Sequence, residues 1–142
     1  MQEEWTRWKP IPGLAADYYI ESVIDTIDKF EIKLSSSQEG VKGLLITFEG
    51  SIHAYRNTEE RYRLLTFKEL SEKYDVDFYA NWTLFKIINS SYLQWLLEQS
   101  HGISECFKLQ HFCIFTSDFI LDIADPSEPT VKFVDESTSL AH

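Results

Sequence analysis

The 142 residues of this chain include only two cysteines, five glycines and four prolines, and each scarcity excludes something. Two thiols are too few for a disulfide framework. Cys106 and Cys113 also stand seven residues apart on what reads as one strand, so they are expected as reduced thiols of a cytoplasmic protein, packed as small hydrophobes. The poverty in glycine and proline rules out collagen-like and low-complexity structure. No apolar run approaches the roughly 20 residues that span a bilayer. The opening Met1-Gln2-Glu3-Glu4-Trp5 is acidic, where a secretory signal is basic and then apolar. Catalytic and ligand-binding signatures are missing as well. There is no G-x-G-x-x-G or P-loop for phosphates, no C-x-x-C or H-E-x-x-H for zinc, no calcium loop and no G-x-S-x-G elbow. No cofactor, metal or catalytic residue is expected.

Positive charge is the other shortage: 13 Lys and Arg stand against 23 Asp and Glu, for a net charge of −10. Neutralising a phosphate backbone needs cations, so direct nucleic-acid binding is not expected. The imbalance is uneven. Residues 1–73 carry 13 acids and 10 bases, whereas residues 74–142 carry 10 acids and three bases. Such acidity keeps a protein in solution, and it also draws a basic partner toward it.

What is abundant is core material, with 44% hydrophobic and 15% aromatic residues, enough to offset the entropy of ordering one domain without staples. The segment from Trp5 to Gly13 reads as an irregular start, since two prolines and a glycine exclude a helix, with its tryptophans packed on the body. Tyr18–Ile27, the alternating Phe30–Ser35 and Leu44–Phe48 read as three strands of a meander. Thr66-Phe67-Lys68-Glu69 has the form of a capping box opening a short helix to about Tyr74. After a strand at Trp82–Ile88, Ser91 and Gln94 form a second box, and Gly102 ends that helix. Phe107–Thr116 and Asp118–Asp125 read as a hairpin, followed by an edge strand at Val131–Val134. The expected fold is α+β, with a single mostly antiparallel sheet of about six to seven strands and two short helices. Residues 1–134 form the domain and residues 135–142 a flexible tail.

Few constellations suggest chemistry. His111 and Cys113 share a strand face with Leu109 and Phe115, which reads as core. A nucleophilic Cys–His–Asp set can be assembled on paper but has no flanking elbow. Asp118 and Asp122 fall on one face of an alternating strand, opposite Phe119, Leu121 and Ile123. That places them on a solvated outer face or an acidic recognition surface, and about 13 Å apart, too far to share one catalytic site. The segment Tyr55–Arg63 interleaves Arg56, Arg61 and Arg63 with Glu59 and Glu60. It reads as a charged crossover pinned by Tyr55 and Tyr62, as a recognition loop, or as a holder of a small anion.

Several segments taken together carry a resemblance: Trp8-Lys9-Pro10-Ile11-Pro12-Gly13-Leu14 with Tyr19-Ile20-Glu21-Ser22-Val23, then Ala54-Tyr55-Arg56-Asn57-Thr58-Glu59-Glu60. Ser91-Tyr92-Leu93-Gln94-Trp95, Ser100-His101-Gly102-Ile103 and His111-Phe112-Cys113-Ile114-Phe115-Thr116 complete it. Up to about Val134 the chain resembles a family of small acidic bacterial proteins, frequent in Bacillus-like genomes. Its members accompany polymorphic or contact-dependent toxin genes and are taken to be immunity proteins. The resemblance implies a cytoplasmic, non-enzymatic inhibitor that binds a cognate toxin domain, a basic nuclease in the favoured case, in a stoichiometric complex. It transfers no catalytic residue.

Charge and expected exposure nominate Glu59, Glu60, Asp75, Asp77, Tyr79, Asp118 and Asp122 as the partner-binding residues. The alternatives are a structural or regulatory binding module, homodimeric through an edge strand, and an enzyme of unrecognised type using His111, Asp122 and Arg56. The scatter of those three along the chain counts against the enzyme.

Overall fold

The computed structural model of the chain describes residues 3–135. Its strands are β1 (Glu4–Arg7), β2 (Tyr19–Asp25), β3 (Lys29–Ser35), β4 (Gly43–Glu49), β5 (Ala54–Glu59), β6 (Leu84–Ile88), β7 (Gln110–Phe115), β8 (Phe119–Asp125) and β9 (Thr130–Val134). The helices are α1 (Leu64–Lys73), α2 (Asp77–Ala80) and α3 (Ser91–Gln99), with single 3-10 turns at Glu60–Tyr62 and Ile103–Phe107. No helix among the described residues is long and apolar enough to cross a membrane.

The expected single sheet with two helices is corrected. The class is α+β, but there are two antiparallel sheets, one of five strands in the order β1-β6-β7-β8-β5 and one of four in the order β2-β3-β4-β9. The reason lies in β7 and β8. A strand with one wet face alternates apolar and polar side chains, whereas Phe112, Cys113, Ile114, Ile120, Leu121 and Ile123 are buried on both faces of the five-stranded sheet. One face meets Phe30, Ile32, Leu34, Leu44, Ile46 and Phe48 of the four-stranded sheet. The other, presenting Trp5, Phe85, Cys113, Phe115 and Ile120, is covered by Leu70 with Phe67, Tyr74, Phe78 and Tyr79 from α1 and α2. The five-stranded sheet is thus the middle of three layers.

Connections follow from this. β2, β3 and β4 form the expected meander. Gly50, at φ 72°, then turns the chain away from β4, and β5 pairs with β8 instead. Val131–Val134 does form an edge strand, β9, but beside β4 in the other sheet. The segment read as an irregular start holds a short strand, Glu4–Arg7, on β6. Its tryptophans are buried as expected, Trp5 under the helices and Trp8 between the sheets, where its ring meets Phe112 at 5.2 Å.

Both helix starts differ from the expected caps. α1 begins at Leu64, two residues before Thr66, because the 3-10 turn runs directly into it. Its N-cap is Arg63 and no side chain caps it. Thr66 lies inside the helix, and its hydroxyl accepts from Arg63 Nε at 3.1 Å. In α3 the cap is Ser90, whose Oγ accepts from the Leu93 amide at 3.0 Å. Gly102 closes that end in the left-handed region, φ 88°, with its N–H on the Leu97 carbonyl. Residues 136–142 of the expected tail lie outside the described residues.

Candidate functional site

Register across the five-stranded sheet builds one charged cluster on its helix-covered face. Arg56 of β5 stands opposite Asp122 of β8, and Asp122 stands opposite Cys113 of β7, two residues along from His111. Asp122 accepts from His111 Nε2 at 2.7 Å through Oδ1, and from Arg56 Nε at 2.7 Å and Arg63 Nη1 at 2.8 Å through Oδ2. Beyond His111, Ser90 Oγ lies 2.6 Å from Nδ1. With Nε2–H on Asp122, the consistent assignment has the serine hydroxyl donating to Nδ1 while accepting from the Leu93 amide. The guanidinium of Arg56 is stacked on the Tyr92 ring, 4.4 Å from its centroid.

The three residues of the enzyme alternative, His111, Asp122 and Arg56, are therefore brought together, and their separation along the chain is no argument against it. The geometry still fits a fixed polar core better than a reaction centre. Asp122 has no exposed surface and His111 is 2% exposed. Both ring nitrogens of His111 are engaged, and Ser90 is buried while capping α3. A general base needs a nitrogen within reach of substrate, and a nucleophile needs an approach path. Cys113 is fully buried, and burial with the neighbouring Asp122 charge pushes its thiol well above the ordinary value, so it is not a thiolate nucleophile.

Burial alone would raise the Asp122 carboxyl. The hydrogen bond from His111 and the charges of Arg63 and Arg56 outweigh it and hold the group well below the ordinary aspartate value. A carboxyl depressed in the folded state stabilises the protein fully above its unfolded pKa of about 3.9, and that contribution is lost as pH falls through the folded value. Urea midpoints followed against pH are expected to decline steeply below about pH 4 in the parent chain. An Asp122→Asn variant should lack that component, so the gap between the two narrows as the solution is acidified.

Of the residues nominated from the sequence, Asp122 is corrected. Both faces of β8 are covered, so the solvated outer face shared with Asp118 does not exist and Asp122 has no surface to offer a partner. Tyr79 is half-buried: its hydroxyl meets Ser71 at 2.7 Å and its ring packs on Phe67 and Phe115. Glu59, Glu60 and Asp118 do gather. Glu59 ends β5 and is ion-paired with Arg61, a bond that lowers its carboxyl below the ordinary value, and the Glu60 N–H donates to the Asp118 carbonyl at 2.9 Å. Asp75 and Asp77 lie elsewhere, beside the β1 edge, where the Asp77 carbonyl accepts from Arg7 at 3.0 Å. β1 and β5 are opposite edges of the sheet, so the nominated acids form two patches. Tyr55 packs on Phe30 at 4.7 Å, but Tyr62, the other expected pin, is 78% exposed.

Above the cluster a cleft of about 740 Å³ runs over the sheet beside α1 and the start of α3. It is lined by Trp5, Arg56, Ile87 and His111, by Arg63, Leu65, Glu69, Leu70 and Glu72, and by Ser91. Glu3 closes one side, its carboxylate accepting from both the amide and the hydroxyl of Ser91 at 2.7 Å. Sequence reasoning missed Ser90 and Tyr92, and nothing in a single sequence pairs Ser90 with His111. Among the described residues no group of three or more His, Cys, Asp or Glu is arranged for a metal ion. In comparisons with known proteins, the chain matches no family model, no curated protein and no solved structure.

Proposed function

We propose that the chain works by binding, as a cytoplasmic immunity-type inhibitor that neutralises a cognate toxin domain in a stoichiometric complex, with a basic nuclease domain as the favoured partner. The observation that supports a docking role is a run of large apolar side chains held in solvent beside carboxylates. Tyr62 is 78% exposed and Leu64 and Leu65 are each 67% exposed at the start of α1, with Trp95 of α3 at 52%. Aromatic anchors near arginine are typical of the residues that dominate interface energies. Glu59, Glu60 and Asp118 lie next to this run, and Glu69 continues it along α1. A basic partner would be steered onto that carboxylate-rimmed surface. The choice of a toxin as partner draws on the resemblance described from the sequence and on the net charge of −10.

The deciding experiment is an affinity pull-down from the native organism, with the purified chain as bait, at low and then physiological salt, read by mass spectrometry. Recovery of the C-terminal fragment of a large secreted protein at one-to-one ratio, weakened by salt, is expected. Recovery of the chain alone, with a mass that grows with concentration, would overturn this reading in favour of a self-associating module.

Once that partner is in hand, Glu59→Lys, Glu60→Lys and Asp118→Lys combined are expected to slow association about tenfold or more at low salt. Dissociation should change less and the circular dichroism spectrum not at all. Stopped-flow rates that match the parent chain would remove these three acids from the interface.

A further inference from the structure

The β5 end of the cleft holds two arginines on a single carboxylate. Asp122 takes one N–H from Arg56 and one from Arg63, so the pair retains an excess positive charge in a chain of net charge −10. Arg63 Nη2 and both terminal nitrogens of Arg56 make no hydrogen bond with any described residue. Arg56 is 42% exposed at its side chain, no fully buried nitrogen of the part-buried Arg63 lacks a partner, and both residues line the cleft. Just beside them α1 starts without a side-chain cap. The amides of Leu64, Leu65 and Thr66 are unpaired among the described residues, and a helix start of this kind adds positive potential.

From this juxtaposition we infer that the cleft is a binding site for a monocarboxylate with an apolar stem, gripped by the two free terminal nitrogens of Arg56 with Arg63 Nη2 beside them. The planar fork of arginine matches a carboxylate in two-point contact. Stacking on Tyr92 and the Nε bond to Asp122 fix the plane of Arg56 before any ligand arrives, which lowers the entropy lost on binding. Trp5, Leu65 and Ile87 supply apolar wall for the stem, and the volume of about 740 Å³ is that of a small-molecule site. Glu69 and Glu72 line the same cleft, offset in part by Lys73, and repel an ion of higher charge such as phosphate more than a monocarboxylate. The inference does not depend on the identity of a toxin partner. The carboxylate has two possible sources, a free acid or an acidic side chain of a docked protein.

The test is an NMR titration of the full chain with hexanoate, with a blocked Gly-Leu-Glu-Leu-Gly peptide and with inorganic phosphate. The readouts are the Nε–H signals of Arg56 and Arg63 and the amides of Leu65 and Thr66. Saturable shifts with hexanoate or the peptide are expected, with phosphate weaker by about tenfold because Glu69 and Glu72 repel its second charge. Tighter binding of the peptide assigns the site to a partner's side chain, and tighter binding of hexanoate assigns it to a free acid. Arg56→Gln should abolish the shifts at Arg63 while Asp122 stays held by Arg63 and His111. Arg56→Lys keeps the charge without the fork, so it should also weaken binding about tenfold. Phosphate binding as tightly as either carboxylate, no saturable shift with both carboxylates, or full binding in Arg56→Lys would each overturn the proposal.

Discussion

Replacing Asp122 by Asn is expected to destabilise the chain by about 3–5 kcal/mol, the usual cost of removing one partner from a buried ionic group. The asparagine fits the space, but its amide cannot neutralise what surrounds it. Arg63 is 13% exposed at its side chain and would be left with its charge largely out of water. The single amide oxygen can accept from His111 or from the arginines but not from both, so an NH2 group is turned toward donors on one side, and His111 through Nδ1 positions the Ser90 cap of α3. For a domain of this size the loss corresponds to a melting temperature lower by roughly 10–20 °C. Arg56→Gln removes a group that is 42% exposed at its side chain, so it should cost no more than about 1 kcal/mol. Calorimetry or urea unfolding of the two variants side by side measures the contrast. Equal, small losses would show that Asp122 is solvated in the protein and that the cluster is a surface feature.

How much of this cluster was readable in advance depends on which strands are neighbours. The period-2 pattern of β7 correctly places His111 on a core face with Cys113 and Phe115. Alternation within Phe119–Asp125 says only that its residues point two ways, and a single sheet leaves one of those ways in water, which is why the pattern alone puts Asp122 on an outer face. The second sheet over Phe112 and Leu121 and the helices over Cys113 and Ile120 remove both wet faces. Arg56 and Asp122 are 66 residues apart and meet only because β5 leaves the meander and pairs with β8. No local signal carries that choice. The capping errors have a different origin. Ser90 and Ser91 are the same residue type in succession, so the capping side chain cannot be told from composition. Thr66-x-x-Glu69 satisfies the pattern of a box, yet a 3-10 turn had already committed the chain to helix at Leu64.

These placements bear on function. The acids nominated from the sequence fall into a patch at Glu59, Glu60 and Asp118 and a patch at Asp75 and Asp77 on the opposite sheet edge, with about four strand spacings, or roughly 19 Å, between those edges. A standard interface of about 800 Å² per partner is of the order of 30 Å across, wide enough for one partner to reach both patches. The aromatic and aliphatic run at Tyr62–Leu65 joins the first patch to the cleft, which makes that side of the molecule the better match to a single docked domain.

The second large effect is expected at Phe112. Its ring is fully buried on the face of β7 that meets the four-stranded sheet, 5.2 Å from Trp8 and 5.3 Å from Phe48 between ring centroids. It therefore belongs to the seam that joins the two sheets. Phe112→Ala removes a ring from a close-packed layer whose backbone is fixed by neighbours on both sides, so the cavity cannot collapse, and the cost should reach about 3–5 kcal/mol. Phe112→Leu, closer in volume, should cost about 1–2 kcal/mol. At the rim of the same sheet pair, Phe133 is 37% exposed, and Phe133→Ala should cost less than Phe112→Ala because water fills the space it leaves. If the layers fold as one cooperative unit, tryptophan fluorescence and far-ultraviolet circular dichroism will give coincident urea transitions for all three variants, shifted in midpoint with unchanged slope. Transitions that separate in Phe112→Ala would show instead that the four-stranded sheet and the helix-covered sheet hold together independently, with the seam between them the weaker contact.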